Sequence, residues 1–358
     1  MKNKNLDEIR KKIDAIDRGI VEMLGQRMEL ALRSRKLKNS VPDENREQQI
    51  FKNISKSAHI LLKPLFIEGL YKQIIGKSRE IQMQNLKLIG FQGEHGAHSE
   101  FAAINYDASL MPVSCKEFTE VFNEVSTGQI DYGIVPIENS IEGAVTQVND
   151  LLTQMDLRIV GEINIPVHHC LLTLPGTEYR DLKVVYSHPQ ALAQCHKFIQ
   201  RHGFEARPFY DTAGAAKMLS ESRPGATGVI ANKICASLYH LEIIKENIED
   251  HESNSTRFIV LSKDVSNEHG DKCSIIFSVK HEAGSLFTVL KAFYDKNINL
   301  TRIESIPAKD DSGKYMFFLD FEGSDNDKGT IEALKEVRKS TTSFKFLGCY
   351  KAFKGVVQ

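Results

Sequence analysis

Leu86–Ser99 reads "LKLIGFQGEHGAHS", and the character of the chain changes within it. Upstream, apolar residues recur at steps of three and four. From Leu86 onward, short β-branched runs alternate with helical stretches. The runs are "LKLIGF" (86–91), "YGIVPI" (132–137), "LRIVGEI" (157–163), "PVHHCLLTL" (166–174), "LKVVYS" (182–187) and "TGVIA" (227–231). Helical stretches such as Pro189–Arg201 and Thr212–Ser220 separate them. This alternation predicts an α/β domain with a largely parallel sheet. Ligands of such sheets bind beyond the strand C-termini, and polar clusters stand there. They are "GFQGEHGAHS" (90–99), "PIENSIEGAV" (136–145), "YSHPQAL" (186–192) and "DTAG" (211–214). The first has neither GxGxxG nor a GK[ST] ending, and Glu94 would repel phosphate, so nucleotide binding is rejected. Asn139–Ser140 and Asp211–Thr212 also suit helix caps, and His188–Pro189 suits a helix start. His168 and His169 alternate faces, which favours one core and one surface histidine over a metal pair.

The upstream segment is helical. Leu6, Ile9, Ile13, Ile16 and Ile20, extended by Leu24, Met28 and Leu32, form one apolar stripe on a helix of about 30 residues. Pro42 in "SVPDEN" (40–45) ends it. A second helix should begin near Asp43 or Glu44, and a third should cover Pro64 to about Met83. Three helices cannot bury such a stripe within one chain, which predicts dimerisation. Arg27 and Lys38 share a face about 16 Å apart, suited to holding one small dianion. Arg10 lies about 25 Å further back and reaches that ligand only from an antiparallel partner chain. Ser78 and Gln82 share a face of the third helix. Taken singly, such charges usually belong to a solvated surface.

Beyond residue 270 the order is "CSIIFSV" (273–279), "GSLFTVLKAFYDK" (284–296), "INLTRIESI" (298–306), "YMFFLDFEG" (315–323), "TIEALKEVRK" (330–339) and "FLGCYKAF" (346–353). That is βαββαβ, a ferredoxin-like α+β pattern.

Bulk composition excludes several classes. The chain has 358 residues, 41% apolar and 26% charged, with net charge −1, so nothing pulls it toward nucleic acid or acidic membrane. "MKNKNLDEIRKK" lacks the apolar core of a signal peptide, and no run approaches the roughly 18 apolar residues of a spanning helix. Six cysteines (115, 170, 195, 235, 273, 349) are scattered without CxxC, which predicts reduced thiols, a cytoplasmic setting and no zinc site.

Residues 6–84 resemble the helical chorismate mutase domain of bifunctional chorismate mutase–prephenate dehydratases. The matching positions are Arg10 in "LDEIRKKID", Arg27 in "GQRMELA", Lys38 in "KLK", Asp43, Arg46 and Glu47 in "DENRE", and Ser78 and Gln82 in "KSREIQ". The resemblance implies that Arg10 of a partner chain and Arg27 clamp carboxylates, with Arg46 supporting. Lys38 and Gln82 would face the ether oxygen. Glu47 would donate there if protonated, or accept from the ring hydroxyl beside Asp43. Residues 87–262 resemble the prephenate dehydratase domain, a two-lobed α/β cleft like that of periplasmic binding proteins. "VPIENSIEGAVTQVNDLL", "VYSHPQALAQC", "DTAGAA" and "STRF" (255–258) carry that likeness. It implies that Thr256 helps the ring hydroxyl leave, Arg257 binds a substrate carboxylate, and Phe258 packs behind. Asn139, Ser140, Gln190 and Thr212 would line the pocket, with Ser99 at its edge.

"HEAGSLFTVL" and "NLTRIESIP" resemble the ACT regulatory domain, with Ser285 where alanine is usual and Ile306 where arginine is usual. The implied effector is L-phenylalanine, bound between subunits near Gly284, Ser285, Leu286, Glu304 and Ser305. The expected domains are 1–85, 87–264 (lobes about 87–165 plus 247–262, and 166–246) and 271–355. The expected substrates are chorismate and prephenate, with no cofactor or metal, in a homodimer or tetramer. An arogenate-preferring dehydratase and a non-catalytic aromatic amino acid-binding regulator are the alternatives.

Overall fold

The computed structural model describes residues 2–38, 40–56, 60–251, 253–265, 269–307 and 315–355. The N-terminal segment forms a unit of its own. It comprises α1 (Lys2–Lys36), α2 (Glu44–Lys56) and α3 (Pro64–Met83). Pro64 opens α3, where its missing N–H costs nothing. α3 packs on both other helices, with Leu32 and Ile75 buried between α1 and α3. The N-terminal part of the α1 stripe, Leu6 to Ile20, stays uncovered: Ile13 is 51% and Ile16 63% exposed.

The second unit holds three sheets. The first lobe runs through β1 (Leu88–Gln92), α4 (His98–Tyr106), β2 (Met111–Cys115), α5 (Phe118–Thr127), β3 (Tyr132–Asn139), β4 (Gly143–Ala144), α6 (Thr146–Gln154) and β5 (Arg158–Pro166). The chain then builds the second lobe. This contains β6 (Cys170–Thr173), β7 (Val184–Ser187), α7 (Pro189–Gln194), α8 (His196–His202), β8 (Glu205–Pro208), α9 (Thr212–Ser222), β9 (Thr227–Ala231), α10 (Ile234–Leu238) and β10 (Glu242–Lys245). It returns as β11 (Ser255–Ser262), which enters the first sheet between β3 and β5 and runs antiparallel to both. The sheet orders are β2-β1-β3-β11-β5 and β10-β6-β9-β7-β8. β11 is buried because its apolar residues, Phe258 to Leu261, are sealed on both faces. The lobes meet closely at Gly96, whose φ of +93° admits glycine readily. A Cβ there would stand 2.7 Å from Cys235 Sγ.

The C-terminal domain is β12 (Lys272–Ser278), α11 (Ser285–Tyr294), β13 (Leu300–Pro307), β14 (Tyr315–Glu322), α12 (Lys328–Ser340) and β15 (Ser343–Tyr350). Its sheet order is β13-β14-β12-β15, with both helices on one face around Phe277, Val289, Phe293 and Phe321. β15 lies against β5. At Gly348 (φ +151°) a Cβ would fall 2.2 Å from the Ile159 carbonyl oxygen, so that approach requires glycine. All six cysteines are buried thiols outside disulfides. Among the described residues, no helix is long and apolar enough to cross a membrane.

Candidate active sites

A cavity of about 380 Å³ lies between the two lobes. The first lobe contributes Ser99 on α4, Asn139 at the end of β3, and Thr256 and Phe258 of β11. The second contributes His188, Gln190 and Gln194 around α7, then Tyr210, Asp211 and Thr212 around the start of α9. His98 and His169 form part of the wall, their rings 5.7 Å apart and edge to face.

The geometry around Thr256 follows from Asn139. Asn139 Oδ1 accepts from the backbone N–H groups of Ile141 and Glu142, at 3.0 and 3.1 Å. Its Nδ2 therefore faces Thr256 Oγ1 (2.9 Å), Asn254 Oδ1 (2.9 Å) and the Ser255 carbonyl (3.2 Å). An amide nitrogen only donates, so Thr256 accepts in that bond and keeps its own proton for another acceptor. The network continues through Gln194 Oε1, which accepts from Asn254 Nδ2 (3.2 Å) and lies 2.8 Å from His169 Nε2. Across the cleft, Gln190 Nε2 and Gln194 Nε2 donate to the Glu142 carboxylate, at 2.5 and 3.2 Å.

Charge in this cavity is unusual. Its described lining contains three histidines but no lysine or arginine. Burial pushes His98 down to about 3 and also lowers His169, so both imidazoles are neutral at pH 7. Burial raises Asp211, against the opposing N–H groups of Gly214 and Ala213. Asp211 caps α9 through Gly214 N–H (2.9 Å) and His188 starts α7 as its N-cap, whereas Asn139 ends β3 with β4 after it and caps no helix. Of the two adjacent histidines, His169 is buried and the His168 side chain is half exposed.

Two expected pocket residues lie elsewhere. Ser140 does not line the cavity. Its hydroxyl accepts from Ser255 N–H (2.9 Å) and donates to the Ser253 carbonyl (3.3 Å), tying two loops together. Arg257 is the larger correction. Successive strand residues face opposite sides, so with Thr256 and Phe258 on the cavity, Arg257 points away. It enters the junction with the C-terminal domain. Its Nε donates to Glu162 Oε2 (2.7 Å), Nη1 to Asp320 Oδ2 (2.7 Å) and Nη2 to Tyr350 Oη (3.1 Å). A carboxylate clamp on substrate is thus not its role in this structure. His98 and Gln194 are not singled out by the sequence, and His169 is read there only as one of a core-and-surface pair. Gln194 had a signal, since it stands four residues after Gln190 on one helix face.

In the helical unit, Arg27 Nη1 donates to Ser78 Oγ (2.5 Å), which also donates to the Ile74 carbonyl (2.9 Å). One turn on, Gln82 Nε2 reaches the Ala31 carbonyl (2.6 Å) and Ser34 Oγ (3.1 Å). Lys38 Nζ stands 3.9 Å from Asp43 Oδ2, and Asp43 Oδ1 caps α2 through Arg46 N–H (2.9 Å). The Arg46 residue itself is exposed. Both oxygens of Glu47 accept from Arg79, a residue the sequence reading passed over. In that bidentate pair both Glu47 oxygens act as acceptors. Arg10 is exposed on α1, seventeen residues and about 25 Å from Arg27.

In the C-terminal domain Gly284 (φ +85°) precedes α11, with Ser285 and Leu286 in its first turn. Ser305 pairs with Phe317, on the helix-covered face. Glu304 pairs with Phe318, on the opposite face. These two expected effector contacts therefore do not converge within one chain. Among the described residues, no group of three or more metal-ligating side chains converges.

Family models match along the chain as chorismate mutase type II (residues 9–83), prephenate dehydratase (89–266) and ACT domain (274–339). The bifunctional chorismate mutase/prephenate dehydratase of Aquifex aeolicus is 35% identical over 360 residues, covering 96% of this chain and 97% of that protein. The solved prephenate dehydratase of Arthrobacter aurescens, in complex with L-Phe, superposes with a TM-score of 0.68 at 29% identity, over 74% of this chain and 90% of that one. A structure described as GqqA, a quorum-quenching acylase, superposes at 0.69 with 31% identity, over 75% and 98%.

Proposed function

The chain belongs to the family of bifunctional chorismate mutase/prephenate dehydratases, and on that premise we propose how its side chains divide the work. It is an enzyme of phenylalanine biosynthesis. It rearranges chorismate to prephenate, then decarboxylates and dehydrates prephenate to phenylpyruvate.

In the dehydratase step the ring carboxylate leaves as CO2. Its bonding pair enters the ring, and the ring hydroxyl departs as water. Aromatisation drives the departure, so a threonine hydroxyl suffices as a positioned donor. The observation that carries this assignment is the 2.9 Å bond from Asn139 Nδ2 to Thr256 Oγ1. It occupies the oxygen and frees the proton for the cleft. With no lysine or arginine in the described lining, the substrate carboxylates are met by neutral donors. Ser99, Gln190 and Thr212 serve, together with the N-termini of α4 and α9.

The mutase step is a pericyclic rearrangement and needs no proton transfer. It requires a compact substrate conformer and donors aimed at the breaking ether. Arg27 clamps a carboxylate. Lys38 and Gln82 face the ether oxygen, and Glu47, an acceptor in its pair with Arg79, accepts from the ring hydroxyl. Arg10 comes from a second chain, because its distance along α1 rules out the site of its own chain. The exposed Leu6–Ile20 stripe supports that dimer. L-phenylalanine is the effector of the C-terminal domain, as the complex named for the Arthrobacter aurescens protein suggests.

Supplying chorismate, prephenate and arogenate separately to the full chain tests the whole assignment. Chorismate and prephenate should each give phenylpyruvate. Faster turnover of arogenate would make this an arogenate dehydratase, and no turnover of any of the three would reduce it to a binding protein.

A further inference from the structure

We infer that Arg257 is a positioning residue, and that the C-terminal domain forms the back wall of the dehydratase site by holding the Asn139–Thr256 pair from behind. The inference rests on Thr256 being the donor proposed above.

Three observations carry it. First, β3 and β11 pair so that Thr256 lies opposite Asn139 and Arg257 opposite Glu138. The cavity therefore has the first pair, and the next residue of each strand faces the other way. Second, those outward residues meet the C-terminal sheet. Arg257 bonds to Asp320 of β14 and Tyr350 of β15, while Glu138 Oε2 lies 3.6 Å from Arg302 Nε of β13. Third, the junction is buried and nearly fully bonded. Asp320 Oδ1 accepts from Ser274 (2.6 Å), whose hydroxyl lies 2.7 Å from Tyr350 Oη. Glu162 accepts from both Arg257 and Lys272 (2.9 Å), and from the Phe353 N–H (3.1 Å).

The physical consequence is stiffness at one residue. Burial opposes the charge on Arg257, yet Asp320, Tyr350 and Glu162 outweigh it and hold its pKa above the ordinary value. Asp320 shows the complement: burial opposes its charge too, but Arg257 and Arg302 hold its pKa below the usual range. A guanidinium fixed by three partners in a plane cannot rotate without leaving one of them unpaired. Thr256 shares its backbone. A shift of a few tenths of an ångström at Arg257 is therefore passed to the Thr256 hydroxyl, whose useful direction depends on its bond to Asn139.

The test is steady-state kinetics on the full chain, with mutase turnover in the same sample as a check on folding. Asp320→Asn keeps shape and removes charge about two side chains away from the cleft. Arg257→Lys keeps charge and removes the planar fork. Each should lower dehydratase kcat at least tenfold with KM for prephenate within twofold and mutase unchanged. The double variant should be no worse than the weaker single, because the two act as one unit. Unchanged kcat in Asp320→Asn, with only a lower melting temperature, would overturn the inference and leave the junction as support. A large rise in KM with kcat preserved in Arg257→Lys would also overturn it, by showing direct substrate contact. Thr256→Ala separates the two levels. If that variant keeps full kcat, the donor reading fails and the positioning inference fails with it. If it is inactive while Asp320→Asn is normal, only the positioning inference fails.

Discussion

Asn139→Asp is the sharpest probe of the dehydratase site, because it changes one atom's hydrogen-bonding sense and almost nothing in shape. One carboxylate oxygen still accepts from Ile141 and Glu142 N–H, so the loop after β3 keeps its anchors. The other now confronts Thr256 Oγ1 at 2.9 Å, Asn254 Oδ1 at 2.9 Å and the Ser255 carbonyl at 3.2 Å. The threonine hydroxyl can answer it by turning its proton inward, whereas Asn254 can do so only by flipping its amide and giving up its bond to Gln194 Oε1. The leaving group then loses its donor. Removing one donor aimed at charge developing in a transition state costs about 2.7–4 kcal/mol, or roughly 10²–10³ in kcat. KM should move little, since the ground-state contacts are retained. Phenylpyruvate release from supplied prephenate is the assay, with mutase turnover as the internal standard. Asn139→Ala leaves Thr256 free to rotate and should lose less than the aspartate variant. A kcat for Asn139→Asp within threefold of the unaltered chain would refute the assigned direction of the proton. Alanine as damaging as aspartate would point instead to the lost bonds at Ile141 and Glu142.

Lys38→Ala should remove most mutase turnover, by 10²–10³, and leave dehydration of supplied prephenate intact; equal loss of both activities would mean the sites are not separable. Chains carrying Arg10→Ala and Arg27→Ala, each inactive alone, should regain mutase activity when mixed, and no recovery would exclude a shared site. His98 is depressed to about 3 when folded, against about 6.5 unfolded, so the unfolded chain binds more protons between those values. Stability should fall as pH drops from about 6.5 toward 3, by up to about 1.4 kcal/mol per pH unit from this group. Urea midpoints that fall no less steeply in His98→Gln would contradict that. L-phenylalanine should bind by calorimetry, and Ile306→Arg should strengthen its inhibition of the dehydratase; no binding at millimolar concentration would leave the domain structural.

Much of this molecule was readable because it rests on local rules. Pro42 and Pro64 bracket helices through lost N–H groups, and the β-branched runs from Leu86 onward announce strands. Thr256 entered through the "STRF" likeness and not through any local rule. Arg257 was misread although the rule that places it was available: residues i and i+1 of a strand face opposite ways, so both cannot serve one pocket. Nothing local reveals its true partners, because Asp320 and Tyr350 belong to another domain and meet it only after three sheets have assembled. Glu47 was ambiguous for a similar reason, since Arg79 reaches it from a different helix. His98 and His169 carry no motif, and their importance comes from burial and mutual contact, which a linear pattern does not encode.

The position of β11 sets a constraint on biosynthesis. It lies between β3 and β5 in its sheet, yet it is translated only after the whole second lobe. While the ribosome works, the first lobe is split down the middle. Even when β11 arrives, Glu162 still waits for Lys272, and Arg257 waits for Asp320 and then Tyr350. N-terminal domains usually fold first during synthesis. The second lobe can follow that order, since all five of its strands lie between Cys170 and Lys245. The first lobe cannot: its sheet closes only once β11 has emerged, and the buried junction behind it closes only with β15.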